Sequence, residues 1–115
     1  MQYMLLIYGN ESARAAAKPA DMQQMFAAYV AYTEAMKKAG VFVAGDPLQG
    51  SSTATTVKVA NGKTEVLNGP YADTKEQLGG YYLIEAADLD AALSWAARCP
   101  GASFGTMEVR PVMTM

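Results

Sequence analysis

Between Tyr71 and Glu76 the chain places a tyrosine, an aspartate, a threonine, a lysine and a glutamate within six positions. The surrounding run, Asn68-Gly69-Pro70-Tyr71-Ala72-Asp73-Thr74-Lys75-Glu76-Gln77-Leu78-Gly79-Gly80, passes from a turn signal through a polar loop to a diglycine. Loops held between rigid elements are where binding chemistry concentrates. Asp73 is the candidate for catalysis: as a general base it needs a pKa raised by burial or by a like charge. Its plainer role is to cap the turn through neighbouring backbone. Thr74 and Glu76 are candidates to line a cleft, although Lys75 with Glu76 also reads as a solvated pair. Tyr8, Tyr71 and Tyr82 offer flat amphipathic surface to a small aromatic or apolar ligand, or else fill the interior. Asn68 suits the left-handed backbone of a turn. Asp46, before Pro47, either ends a strand or faces the pocket. Arg110 stands two residues beyond Glu108, so it can hold an anionic ligand bidentately or make an ion pair between subunits.

Several chemistries are excluded by what is missing. No histidine occurs, which removes Ser-His and Cys-His catalytic pairs. Cys99 is the single cysteine, so neither a zinc or copper site nor any other cofactor is expected. It closes a helix, where the negative dipole end disfavours thiolate, and reads as a packing residue. A formal net charge of -2 without a basic stripe argues against nucleic acid. No apolar run reaches the roughly 18 residues that span a bilayer. Met1 to Tyr8 lacks a basic leader and reads as a strand, and one cysteine makes no internal disulfide; a cytoplasmic protein is expected. At 115 residues, 51% of them apolar, the chain forms one domain over residues 1–115.

The elements that must hold these residues follow from periodicity. Gln2 to Tyr8 reads as a strand. Pro19 opens a helix whose inner face is Met22, Met25, Phe26, Tyr29, Thr33 and Met36, with Gly40 as terminator. Val41 to Ala44 is a strand ended by Gly45-Asp46-Pro47. Thr53–Ala60 and Lys63–Leu67 flank Asn61-Gly62, the signature of a type I′ hairpin. Gly79 and Gly80, before the strand Gly80 to Glu85, either let a ligand approach the backbone or form a bulge. Asp88 caps a second helix with Leu89, Ala92, Leu93 and Ala96 inward, stopped by Pro100-Gly101. The last strand spans Phe104 to Val112. Strand, helix, strand, hairpin, strand, helix, strand predicts a ferredoxin-like α+β sandwich carrying an inserted β-hairpin.

Two helices cover one face of such a sheet, yet the strands are apolar on both. Tyr3, Leu5 and Ile7 oppose Met4, Leu6 and Tyr8, and Tyr81 and Leu83 oppose Tyr82 and Ile84. Monomers rarely leave such a patch wet. A homodimer is expected, its two sheets laid together around a barrel-like interior.

Met4-Leu5-Leu6-Ile7-Tyr8, Gly45-Asp46-Pro47-Leu48-Gln49, Ala54-Thr55-Thr56-Val57, the run Gly69 to Ile84, Asp88-Leu89-Asp90, Trp95-Ala96-Ala97-Arg98 and Glu108-Val109-Arg110-Pro111-Val112 together resemble YCII-related proteins, in the subgroup called DGPF-domain proteins. The resemblance implies a dimeric α/β barrel with a pocket in each subunit, near where strands of the two chains meet. It also implies an accessory role beside an extracytoplasmic-function sigma factor. Some relatives look like enzymes with a His-Asp pair. Here the name-giving Asp-Gly-Pro-Phe is Asn68-Gly69-Pro70-Tyr71, and a Pro-x-His pattern is Pro19-Ala20-Asp21, so that pair does not carry over. The expected function is a small-molecule-binding or accessory module, tied through a sigma factor to transcription. The alternative is a cofactor-free enzyme of isomerase or dehydrochlorinase type, with Asp73 and a tyrosine as its acid-base set. A purely structural dimerisation domain is the third reading.

Overall fold

The computed structural model describes residues 1–115 throughout. Its elements are β1 (Gln2–Gly9), α1 (Glu11–Ala15), α2 (Pro19–Lys38), β2 (Phe42–Pro47), β3 (Thr55–Ala60), β4 (Lys63–Asn68), β5 (Gln77–Glu85), α3 (Leu89–Arg98) and β6 (Thr106–Pro111). Short 3₁₀ turns occupy Ser51–Thr53 and Pro100–Ser103. Four strands form one sheet in the order β2-β5-β1-β6, every neighbouring pair antiparallel. With α2 and α3 as the crossovers this is the ferredoxin-like arrangement. The pair β3-β4 forms a separate two-stranded sheet.

The core joins the two layers. Tyr3 and Leu5 of β1 and Tyr82 and Ile84 of β5 pack against Tyr32 and Met36 of α2 and Ala92 and Ala96 of α3, with Cys99 buried beside them. The alternate residues Met4, Leu6, Tyr81 and Leu83 occupy the opposite face, where they are half-buried only by their neighbours along the sheet. The helices therefore cover one face only, and the other mixes these apolar residues with Asp46, Glu108 and Arg110.

Local chemistry sets the boundaries. Asn61 and Gly62 both take positive φ, 51° and 74°, as a two-residue I′ turn demands. The expected inner face of α2 is displaced: Tyr32 joins Met36 inside, while Met22 and Phe26 are 50% and 72% exposed. Met22 and Phe26, in the first turns of the helix, pack on none of the core, whereas Tyr29, Tyr32 and Met36 further along it do. β2 continues through Gly45, Asp46 and Pro47 rather than stopping before them, because it is an edge strand whose outward proline leaves no ladder bond unmade. β6 starts at Thr106 rather than Phe104, since Pro100–Ser103 coils into a 3₁₀ turn first.

The α3 entrance yields a direct check. Asp88 accepts a hydrogen bond from the Ala91 backbone N–H at 2.9 Å. Asp88→Ala should lower stability by about 1 kcal/mol, read as an earlier urea midpoint with an unchanged slope. An unaltered midpoint would show that α3 is held by packing alone.

Candidate functional site

A cleft of about 680 Å³ opens where the polar loop after β4 faces the loop after β2, at the root of the β3-β4 hairpin. Tyr8 from the end of β1, Tyr71 and Thr74 from the polar loop, Thr55 and Thr56 from β3, and Leu78 from the start of β5 line it. Leu48, Gln49, Ser51 and Gln77 complete the polar and apolar mixture. The only titratable side chains in the wall are the two tyrosines. No cluster of three or more His, Cys, Asp or Glu stands close enough to hold a metal ion.

The walls are tied together by residues that sequence reasoning passed over. Asn10 caps α1 by accepting from the Ala13 N–H at 3.0 Å, which sets Glu11 in the first turn. The Glu11 carboxylate then accepts from the Ser51 N–H at 2.8 Å and the Ser51 hydroxyl at 3.0 Å. The Glu11 N–H donates to Gln77 Oε1 at 3.1 Å, and Gln77 Nε2 donates to the Thr74 carbonyl at 2.6 Å. One glutamate and one glutamine thus brace both loops against β1 and β5. The Asn10-Glu11 pair, an N-cap followed by an acid, was the available signal for α1.

Gly79 is the extra residue of a bulge: Ile7 pairs with Gly80 and Tyr8 with Leu78. A Cβ at Gly79 would stand 2.8 Å from Arg14 Nη2, so the glycine also makes room for that guanidinium. Of the two readings of the diglycine, the bulge is the one observed.

Of the nine residues singled out by sequence, the structure brings Tyr8, Tyr71 and Thr74 to the cleft. Asp73 lies exposed on the loop, outside the cleft wall. Glu76 turns to β6, where the Thr106 hydroxyl donates to its Oε1 at 2.6 Å; Thr106 is the strand partner of Tyr8. Asn68 is the last residue of β4, exposed and paired with Thr55. Asp46 accepts from the Tyr81 hydroxyl at 2.9 Å on the uncovered sheet face. That hydrogen bond, together with the carboxylate's charge, holds the Tyr81 phenol above its ordinary pKa. Arg110 is ion-paired with Glu108 of its own strand, on that same face.

Tyr82 is not part of the cleft. It is 8% exposed on the helix-covered side, with its ring edge-on to Tyr32 at 5.4 Å and to Phe42 at 6.2 Å. Its hydroxyl shares a 2.8 Å hydrogen bond with Thr33 Oγ1. Strand alternation decides the matter: Tyr81 and Tyr82 point to opposite faces, and only Tyr82 meets the helices.

Fold and site together define a ferredoxin-like α+β sandwich with a ligand-sized cleft beside an uncovered sheet face. Over residues 1–115 the sequence matches the YCII-related domain, and the chain belongs to that family. An uncharacterized protein of Rhizobium meliloti (strain 1021) is 40% identical over 118 residues, covering 97% of this chain and 92% of the relative. A similar solved structure is 5-chloro-2-hydroxyhydroquinone dehydrochlorinase (TftG) of Burkholderia phenoliruptrix AC1100, in complex with 2,5-dihydroxybenzoquinone. Its TM-score is 0.55 at 19% identity, over 98% of this chain and 94% of that one. At that identity the likeness is one of fold. No helix is long and apolar enough to cross a membrane.

Proposed function

We propose that the protein is a homodimeric module that binds a small, flat, uncharged organic molecule with hydroxyl groups, such as a hydroxylated aromatic. The observation that carries this reading is the chemistry of the cleft wall. Two tyrosines and two leucines supply flat and apolar contact. Ser51, Thr56 and Thr74 donate their hydroxyl protons to Glu11, the Gly69 carbonyl and the Glu76 carbonyl, so with Thr55 they offer neutral oxygens that can accept from a ligand hydroxyl. No carboxylate or cation lines the cleft, and Asp73 lies outside it, which favours binding over proton transfer. The oxygenated ring named with the dehydrochlorinase is likewise small and flat, which supports the size and shape of the ligand by analogy of fold. The dimer is supported by the uncovered face that carries Met4, Leu6 and Leu83. Membership of the DGPF subgroup and a sigma-factor partner rest on the sequence resemblance alone.

Calorimetric titration with hydroquinone, catechol and benzoate tests the reading. Hydroquinone or catechol should bind saturably and raise Tm. Benzoate should bind about tenfold or more weakly, because its charge finds no partner in the wall. Tyr71→Ala should weaken the neutral ligands by about tenfold through loss of the aromatic contact. A folded protein that binds none of the three overturns the proposal.

A further inference from the structure

The β3-β4 hairpin buries almost nothing in its own chain, and its two faces differ sharply. Cross-strand pairing places Val57 opposite Val66, Val59 opposite Thr64 and Thr55 opposite Asn68, all on one face. That face is uncharged, and Val57, Val59 and Val66 are 61%, 65% and 60% exposed. The reverse face carries the pair Lys58 and Glu65, with Lys63 opposite Ala60 and one apolar side chain, Leu67, opposite Thr56. An isolated two-stranded hairpin is marginal in water, and a valine face open to solvent adds a further penalty.

The surface area indicates what covers it. The chain exposes 8117 Å², whereas a compact monomer of 12.2 kDa should expose about 6,100 Å². The excess of about 2,000 Å² is spread over the whole chain, hairpin and uncovered sheet face together, and is of the size that each subunit of an obligate homodimer buries. The radius of gyration agrees: 16.0 Å against about 13 Å for a compact chain of this length. Obligate interfaces are also the apolar ones, and the valine face has no charge with which to select an unlike partner.

We infer that the hairpin is an intersubunit arm, whose Val57-Val59-Val66 face packs on a second copy of this chain. The inference rests on the homodimer proposed above and assigns part of its interface. It also bears on the cleft. Thr55 and Thr56, at the root of the arm, line that cleft, and Tyr71 across from them is 92% exposed. A second subunit held by the arm would stand next to the open side of the binding site.

Sedimentation equilibrium of the full chain tests this with two double variants, Val57→Lys/Val66→Lys and Lys58→Ser/Glu65→Ser, each checked by circular dichroism and a cooperative melt. The hairpin contributes nothing to the core, so both variants should fold. Wild type and the Lys58/Glu65 variant should be dimers of similar affinity. The lysine variant should dimerise at least about a hundredfold more weakly, because two unpaired charges would enter an apolar interface. A lysine variant that dimerises like wild type overturns the arm while leaving the homodimer standing. A monomeric wild type overturns both, and leaves the valine face to a different protein.

Discussion

Gly105→Ala is expected to destabilise the fold by about 3 kcal/mol and to lower Tm by about 10 °C. A Cβ at Gly105 would stand 2.0 Å from the Tyr8 carbonyl oxygen and 3.1 Å from both the Tyr8 carbonyl carbon and Gly9 Cα. All three are backbone atoms, so no side-chain rotation relieves the clash. Gly105 is held in place by its own N–H, which donates to the Gly101 carbonyl at 2.8 Å. The remaining response is to separate β6 from β1 where Thr106 pairs with Tyr8. Tyr8 is a wall of the cleft, so ligand binding should fall together with stability. Gly50→Ala is the control: a Cβ there meets only Glu11 Oε2 at an ordinary 3.8 Å, and its backbone is extended. Urea denaturation of both variants measures the difference. Equal midpoints would mean that β1 and β6 separate at this end without cost.

The elements were legible in the sequence wherever one local signal dominated. Asn61-Gly62 allowed one turn, Asp88 marked a helix start, and the apolar runs of β1 and β5 stated their own type. Legibility ended where the answer depended on what lies opposite. Tyr81 and Tyr82 are the same residue type in one strand, and alternation says only that they part company. Which of them meets Thr33 is fixed by the side to which α2 folds. The helix stripe failed for a similar reason: Met22 and Phe26 have the right spacing, but nothing of the core lies against them.

The cleft was half legible. Its loop announced itself by composition, and Tyr8, Tyr71 and Thr74 do line the wall. The charged residues of the same loop turn elsewhere, Glu76 to Thr106 on β6 and Asp73 to the exterior. The groups that set the shape of the cleft, Glu11 and Gln77, lie 66 residues apart. No short motif contains them, and their pairing exists only once β1 and β5 have aligned. A polar loop therefore indicated where to look, while tertiary contacts decided which of its side chains the ligand would meet.

Raising the pH past 9 should unfold the protein far more readily than its modest charge suggests. Four ionisable groups pack where the helices meet the sheet: Tyr29, Tyr32, Tyr82 and Cys99. The Tyr32 hydroxyl donates to the Trp95 carbonyl at 2.7 Å, and the Cys99 thiol lies 3.7 Å from the Tyr29 hydroxyl. Burial is the first cause of all four shifts, and it pushes the phenols above 10.0 and the thiol above 9.0. For Tyr82 the hydrogen bond with Thr33 opposes that rise without reversing it. The folded chain therefore keeps protons that the unfolded chain releases, and stability falls with pH wherever that difference exists. The stabilisation is complete below the unfolded thiol value of about 9. It begins to disappear there and falls more steeply above 10, as the unfolded phenols ionise. Urea midpoints should be constant from pH 7 to 8 and drop progressively between pH 9 and 11, with an unchanged slope. Tyr32→Phe should flatten that drop, after an initial loss of about 1 kcal/mol at pH 7 for the missing hydrogen bond. A midpoint that stays level to pH 11 would mean that water reaches these four groups, and that the seam between helices and sheet is looser than its packing indicates.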